Sequence, residues 1–272
     1  MKKISLYFVV MLLSVVNLTS CLDGSNESTG EAIGVVDFST KSTKPVLKTY
    51  YGEFYAPELS TLLSDATIGY GDCLYIYYKI DYDLAENSPA MVETNGYYTV
   101  SLYNYVPFER NYLSHYLTDT ATVMADNEVA ILDGLCLNGG INGFYDRYMF
   151  VTHIVNQPEN LELRWDLSYD RESMMPTEEN SKRYYDLFVR AVPTNTSEKT
   201  KVDYPHCVSY DMGSYLREVA QAEKEALGGS YVATNSKFTL RVNYPSEIKG
   251  DTIVWSHKEW EQYVASFLPA EN

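Results

Sequence analysis

The stretch LELRWDLSY, residues 161–169, alternates strictly between apolar and polar side chains. One set of alternate positions is apolar and consists of Leu161, Leu163, Trp165, Leu167 and Tyr169. The positions between them are polar, namely Glu162, Arg164, Asp166 and Ser168. Because successive side chains of a β-strand point to opposite faces, this period of two predicts a half-buried antiparallel strand.

The same period recurs along much of the chain. It is clear in CLYIYYKIDY (73–82), where Leu74, Ile76, Tyr78 and Ile80 share a face, and in FTLRVNY (238–244), where Phe238, Leu240, Val242 and Tyr244 do. Further strand candidates are Ala32–Phe38, Val46–Tyr55, Tyr97–Val106, Val129–Leu132, Tyr148–Val155, Tyr184–Val192 and Thr252–Ser256. Strands follow strands through polar turns, so the sequence predicts an all-β fold without alternating βαβ units.

One segment interrupts this pattern with a helical period. From Asp211, a candidate N-cap, MGSYLREVAQAEKEAL places an apolar stripe on one side, and Gly228-Gly229 supply a stop. A stripe at this spacing faces a core more often than it forms a cofactor site, so we expect the helix to pack across a sheet edge. A shorter C-terminal helix is predicted from Trp260, Tyr263, Val264 and Phe267, which recur at near-helical spacing.

Two polar regions lack a β period. The stretch Pro107–Asp126 follows tyrosine-rich strands and is the best candidate for a domain boundary. The segment RESMMPTEENSK (171–182) lies between two predicted strands, so we expect an insertion on a sheet edge.

The N-terminus resembles a bacterial lipoprotein signal. Residues 1–20 join Lys2 and Lys3 to an apolar run that is shorter than the ~20 residues of a membrane span. They end in Leu18-Thr19-Ser20 before Cys21, which resembles the lipobox. The resemblance implies cleavage before Cys21 and acylation of its thiol; the alternative is an ordinary secretory signal with a chance cysteine.

The residues after Cys21 predict a tether and a location. LDGSNESTGE is small, polar and acidic, so residues 21–30 are predicted to be a flexible spacer. Asp23 and Glu27 resemble the acidic surface-export signal of Bacteroidetes lipoproteins. We therefore expect an outer-membrane lipoprotein, exposed at the cell surface or facing the periplasm, whose membrane link is the lipid on Cys21.

Charge narrows the classes of partner. The chain has 21 Lys and Arg against 37 Asp and Glu, a formal net charge of −16. Nucleic-acid binding depends on clustered basic residues, so it is not expected.

The 26 tyrosines suit the half-buried surfaces of sheets.

The sequence contains no recognisable catalytic or metal-binding motif, and no cofactor is predicted. His115, His153, His206 and His257 are scattered without the i+2 or i+4 spacing of paired ligands. His206 and Cys207 are adjacent, so on a strand they point to opposite faces and neither could activate the other. We expect Cys73, Cys136 and Cys207 to be small buried hydrophobes, although Cys136 could form a bridge with Cys207 or Cys73.

Four tyrosines form the candidate binding face. Tyr75, Tyr77, Tyr103 and Tyr105 lie opposite the apolar rows of their strands. Exposed tyrosines on a small barrel could stack on sugar rings or grip a peptide. The alternative is that they cover a neighbouring element or a domain interface.

The order of these pieces resembles the NigD-like lipoproteins of Bacteroidetes. The resemblance rests on the anchored Cys21, the strand entry Gly71-Asp72-Cys73-Leu74-Tyr75-Ile76, the tyrosine-rich strand 97–106, LELRWDLSY, YDLFVRAV (185–192) and a closing series VSYDM, FTLRVNYPS and DTIVW. It implies an OB-like small barrel at residues 31–108 and a β-sandwich with one inserted helix at 109–272. It carries over no catalytic activity.

Three hypotheses of function follow. The first is a non-enzymatic envelope lipoprotein that binds a protein or a glycan. The second is a surface glycan hydrolase with carboxylates drawn from loops, and the third is a structural subunit of a surface assembly. Hydrolysis needs two carboxylates at a fixed separation. With 37 acidic residues in the chain, such a pair is always present somewhere, so its presence does not support an enzyme.

Overall fold

The computed structural model describes residues 26–114, 120, 128–132, 144–170, 176–179 and 182–268. The chain divides into two compact units, Met1–Val106 and Pro107–Asn272. Each unit has its own hydrophobic core. Cys21 and Cys136 lie outside the described residues.

The first unit is a closed five-stranded barrel. Its strands are β1 (Glu27–Phe38), β2 (Pro45–Thr49), β3 (Gly52–Tyr55), β4 (Cys73–Asp81) and β5 (Tyr97–Pro107), in the order β1-β2-β3-β5-β4. β1 is antiparallel to both β2 and β4, whereas β3 and β5 are parallel. Closure leaves the barrel without a free sheet edge of its own.

Gly34 lies where β1 pairs with both of its neighbours. It pairs with Thr49 of β2 and with Leu74 of β4. A Cβ atom at this position would lie 2.9 Å from the Cβ of Leu47. Only glycine therefore fits where the long first strand passes so close to β2.

β1 begins earlier than the sequence predicted. Residues 27–30 were assigned to the flexible tether, but Glu27 pairs with Asp81 and Gly30 pairs with Tyr78. A Cβ at Gly30 would lie 2.8 Å from the hydroxyl oxygen of Tyr78, so the ring of Tyr78 covers the glycine. The tether prediction is wrong for these four residues because pairing with β4 supplies the order that their composition lacks.

Two short helices accompany the barrel, α1 (Pro57–Ser64) and α2 (Pro89–Asn95). Each has proline in its first turn, where the missing N–H costs no hydrogen bond. α2 ends at Gly96, whose φ of 81° is left-handed. Neither helix was predicted, because eight and seven residues are too few to establish a helical period.

The barrel core confirms the face predicted for β4. Leu74, Ile76, Tyr78 and Ile80 are all buried. They pack with Phe54 of β3, Leu59 of α1 and Val100 of β5, among others.

The second unit is built from two sheets. Its strands are β6 (Glu109–Asn111), β7 (Leu113–Ser114), β8 (Ile131–Leu132), β9 (Phe144–Tyr145), β10 (Tyr148–Pro158), β11 (Leu163–Ser168), β12 (Thr177–Glu179), β13 (Lys182–Pro193), β14 (Lys201–Asp211), β15 (Lys237–Lys249) and β16 (Thr252–Tyr263). One sheet has the order β6-β14-β10-β8 with β9 paired to β10. The other has the order β16-β15-β13-β11-β7 with β12 paired to β13.

The two sheets share one core with α3 (Gly213–Leu227), the helix that the sequence predicted. Val151 and Val208 come from the first sheet, Leu187 and Leu240 from the second, and Leu216 from α3. The all-β class with a small N-terminal barrel is therefore confirmed. The stretch LELRWDLSY contains β11, which pairs antiparallel with β13 and buries Trp165 and Leu167 as predicted.

The second sheet also contains parallel pairs. β13 and β15 are parallel neighbours, and the crossover that parallel pairing requires is formed by β14 and α3, which lie between them in the chain. The segment 171–182 was predicted to be an insertion, and its described part contributes β12, which pairs with the start of β13.

Two predictions about helices need correction, one about a C-terminal helix and one about the N-cap of α3. The C-terminal helix predicted from Trp260 to Phe267 is absent from that described stretch, because Trp260 pairs with Leu240 and β16 continues to Tyr263. Only a 3-10 turn at Val264–Ser266 follows. Asp211 belongs to β14 and Met212 is the N-cap of α3, although a carboxylate oxygen of Asp211 accepts a 3.0 Å hydrogen bond from the Gly213 N–H.

Candidate functional site

Tyr75 and Tyr77, the first half of the predicted binding face, form a pair on β4. Their rings meet edge to face with centroids 5.3 Å apart. The Tyr75 hydroxyl donates a 2.6 Å hydrogen bond to Oε2 of Glu31 on β1. Burial, followed by this hydrogen bond, raises the pKa of Tyr75. Burial and the charge of Glu31 also raise the pKa of Tyr77. Both tyrosines are therefore neutral phenols that contact each other on the outer face of β4.

Lys79 extends this outward-facing row of β4. Its Nζ lies 2.5 Å from Oε1 of Glu27, and this hydrogen bond is the main cause of its raised pKa. Tyr103 of β5 is close enough to raise the pKa of Lys79 further. The cation of this row is thus already paired with a carboxylate.

Tyr103 and Tyr105, the second half of the predicted face, line a cleft of about 370 Å³ between α1 and β5. The cleft is lined by Glu58, Thr61 and Leu62 of α1 and by Leu102, Tyr103, Asn104 and Tyr105 of β5. We call this feature the α1–β5 cleft. Tyr75 and Tyr77 are not among its lining residues.

The cleft exists because α1 and β5 share the barrel core but are not joined by a backbone ladder. Leu59 anchors α1 in the core, and Leu62 packs partly against it. β5 pairs with β3 only over Tyr97–Thr99. Leu102 and Tyr105, further along β5, rest partly on the same core, so the two elements form opposite walls.

The walls of the cleft carry polar groups that make few hydrogen bonds within the protein. Oδ1 of Asn104 accepts a 2.9 Å hydrogen bond from the Tyr105 N–H, which leaves the Asn104 amide group as a donor. Within the described part of the chain, the Glu58 carboxylate and the Tyr103 and Tyr105 hydroxyls make no hydrogen bond or ion pair. Tyr103 has an exposure of 62%, so its ring is presented to solvent.

The positions of the described histidines and cysteines bear on whether the chain has a metal site. In the ranges that the structure describes, no group of three or more His, Cys, Asp or Glu is placed to hold a metal ion. Cys73 is buried at the start of β4 and Cys207 is half-buried in β14. Cys136 lies outside the described residues, so the proposed bridges stay predictions.

His206 occupies an aromatic corner of the second unit. Its ring lies 5.1 Å from Trp165 and 5.0 Å from Tyr204, measured between centroids. Its Nε2 lies 3.0 Å from Oε1 of Gln157, whose amide donates to the Leu161 carbonyl oxygen. Burial lowers the pKa of His206 to about 4, so the ring is neutral at pH 7. Because the Gln157 amide oxygen can only accept, Nε2 carries the ring proton and donates it.

Several buried polar groups were missed by the sequence reasoning. Arg190 and Glu128 form a two-point ion pair with both side chains 0% exposed. Glu223 of α3 is buried, accepts from the Tyr185 hydroxyl at 2.7 Å and lies 3.2 Å from Arg183. Charged residues in a strand or a helix predict a solvated face, so no local signal could have identified these pairs.

Comparison with known proteins supports the lipoprotein prediction. Residues 24–106 match the family described as the lipoprotein OB domain. The comparison with curated proteins found no match.

Solved structures from Bacteroidetes share the fold. An uncharacterised protein from Parabacteroides merdae has 20% identity and a TM-score of 0.64, with 86% of this chain and 99% of that chain covered. A candidate lipoprotein from Bacteroides fragilis has 11% identity and a TM-score of 0.53, with coverages of 90% and 100%. A NigD-like immunity protein from Bacteroides caccae has 10% identity and a TM-score of 0.44, with coverages of 87% and 97%.

The match of residues 24–106 to a lipoprotein OB domain and the shared fold support the predicted resemblance to lipoproteins of Bacteroidetes. They also favour an envelope-associated location. For the part of the chain that is described, no helix has both the length and the apolar character needed to cross a membrane.

Proposed function

We propose that this chain, whose residues 24–106 match a lipoprotein OB domain, is an outer-membrane lipoprotein anchored through Cys21 that binds a ligand on its N-terminal barrel without transforming it. Its two units stand outside the cytoplasm, exposed at the cell surface. The lipid on Cys21 attaches the protein to the membrane, and the barrel binds the ligand.

The α1–β5 cleft is the observation that carries this proposal. It brings Tyr103 and Tyr105, two of the four tyrosines selected from the sequence, together with a carboxylate and an amide from two different elements. Binding sites typically combine apolar and aromatic walls with a few polar groups that fix orientation. Tyr75 and Tyr77 fit a supporting role better, since burial and Glu31 already hold them.

The composition of the cleft favours binding over hydrolysis. Glycoside hydrolysis uses two carboxyl groups about 5–10 Å apart across the scissile bond. Of the described residues that line the cleft, only Glu58 carries a carboxylate. A single carboxylate can accept hydrogen bonds from a ligand, but that reaction also needs a second carboxylate as nucleophile or base on the other side of the scissile bond.

The anchoring half of the proposal predicts a change in location. In cells that express the full chain, Cys21→Ala should move the protein from the membrane fraction to the soluble fraction, because no thiol remains to be acylated. Labelled fatty acid should be incorporated by the parent chain and not by this variant.

Ser20→Ala is the matched control for this experiment, because it keeps a small residue before the cysteine. It should stay in the membrane fraction. Retention of Cys21→Ala in the membrane would contradict the anchor. Digestion of intact cells by added protease would separate surface exposure from a periplasmic orientation.

A further inference from the structure

We infer that the α1–β5 cleft holds one ring of an uncharged saccharide, stacked on Tyr103 and hydrogen-bonded by Glu58 and Asn104. The inference rests on the proposed binding function and adds the chemical class of the ligand. Four properties of the cleft carry it: its size, its aromatic wall, its polar groups and its charge.

The size of the cleft suits a single small ring. At about 370 Å³ it lies near the lower end of ligand pockets, which span roughly 300–1,000 Å³. It is open on one side, so neighbouring rings of a longer chain could continue into solvent. A folded protein partner would need a much larger contact area than this cleft provides.

The aromatic wall matches the apolar face of a sugar ring. Tyr103 is 62% exposed, and its ring can stack on a flat C–H face without first displacing another side chain. Tyr105 is half-buried and packs partly against the barrel core, so it provides a fixed second surface. Leu62 and Leu102 complete the apolar part of the wall.

The polar groups of the cleft match hydroxyl groups. The Glu58 carboxylate accepts hydrogen bonds, and the Asn104 amide donates them because its carbonyl oxygen is occupied by the Tyr105 N–H. A sugar hydroxyl both donates and accepts, so adjacent hydroxyls can satisfy the two side chains at once. A hydrocarbon ligand would leave both of them unpaired, which is costly once they are shielded from water.

Charge excludes the acidic sugars. The residues lining the cleft include Glu58 and no lysine or arginine. The nearby Lys79 is paired with Glu27, and the whole chain carries a formal net charge of −16. A uronate, a sialic acid or a phosphate would meet like charge without a compensating cation.

The test uses the whole mature chain and two immobilised panels. One panel holds neutral oligosaccharides, namely α- and β-linked glucans, mannans and xylans, and the other holds acidic oligogalacturonates and heparin fragments. We expect binding to at least one neutral member and to no acidic member. For that neutral member, titration calorimetry should show an affinity about tenfold weaker for Tyr103→Ala. Tyr103→Phe, which keeps the ring, should recover most of that loss.

Tyr50→Ala is the matched control. Tyr50 is 72% exposed on the same barrel and does not line the cleft, so its loss should leave the affinity unchanged. Glu58→Gln should weaken binding several-fold by removing a charged acceptor. Circular dichroism should show the same fold for all four variants, because the altered side chains are exposed.

Three results would overturn the inference. They are the failure of every neutral oligosaccharide to bind at millimolar concentration, binding that survives Tyr103→Ala but is lost with Tyr77→Ala, and capture of a peptide library by the cleft without any sugar. The second result would remove the cleft as the site but keep ligand binding on the barrel, and the third would keep the cleft but change the class of its ligand. The proposed binding function itself fails only if the protein binds neither panel nor the peptides. Failure of the saccharide inference can therefore be told apart from failure of the proposed function.

Discussion

At the scale of single residues, burial determines which side chains keep their ordinary chemistry. His206 illustrates the effect because it was selected from the sequence only as a scattered histidine. In the structure it lies between Trp165 and Tyr204 and donates to Gln157. Burial lowers its pKa to about 4, whereas an unfolded histidine titrates near 6.5.

His206 therefore predicts a loss of stability in mild acid. The neutral ring is favoured in the folded state, so its contribution is fully present above pH ~6.5 and is lost as the pH falls toward 4. After a discount for partial exposure, we expect a loss of roughly 2 kcal/mol in the free energy of unfolding across this range. Urea unfolding at pH 7.5, 5.5 and 4.5 measures it.

The variant His206→Gln serves as the control for the acid effect. It cannot be protonated in this range, so its stability should fall less between pH 7.5 and 4.5 than that of the parent. An equal fall in both proteins would assign the pH dependence to other groups.

At the scale of elements, buried charge joins parts of the second unit that are distant in sequence. Nε and Nη2 of Arg190 on β13 donate to the two carboxylate oxygens of Glu128, at 2.7 and 2.6 Å. Val129 and Ala191, their chain neighbours, form an isolated β-bridge. The ion pair and the bridge together fix the described segment 128–132 against the sheet.

Removal of one charge from this pair should be strongly destabilising. Glu128→Gln leaves the fully buried guanidinium without its carboxylate, and we expect a loss of about 3–5 kcal/mol in the free energy of unfolding. Chemical denaturation of the full chain measures it.

The double variant Glu128→Leu with Arg190→Met tests the cause. It removes both charges and keeps apolar volume, so it should recover a large part of the loss. A single variant that costs less than about 1 kcal/mol would show that the pair is better solvated than its burial indicates.

At the scale of the whole molecule, two separate cores predict two separable responses to damage. Leu74 belongs to the barrel core and Leu240 to the core of the second unit, and both are 0% exposed. Leu74→Ala and Leu240→Ala should each cost about 2–5 kcal/mol through lost burial and a residual cavity. Hydrogen exchange should show lost protection only in the unit that carries the substitution.

The two variants act as controls for each other, since each replaces a fully buried leucine in a β-strand. Equal loss of protection in both units after either substitution would show that the units unfold as one cooperative body.

The buried faces of strands could be predicted from the sequence, whereas contacts between distant elements could not. The rows Leu74 to Ile80 and Phe238 to Tyr244 were placed correctly on buried faces, because a period of two is a local property of a strand. The C-terminal helix was wrong because pairing with β15 overrode a weak helical period. The α1 side of the cleft was missed because no pattern relates Glu58 to Tyr103.

The sequence by itself determined the all-β class, the buried faces of the main strands and the long helix, and it predicts acylation of Cys21. These features depend on side chains that are neighbours along the chain or on one element. The tertiary structure alone decided barrel closure, the parallel pairing of β13 with β15, the burial of Arg190 with Glu128 and the meeting of α1 with Tyr103 and Tyr105. Those contacts join residues tens of positions apart, and they form only because the apolar faces must be buried together.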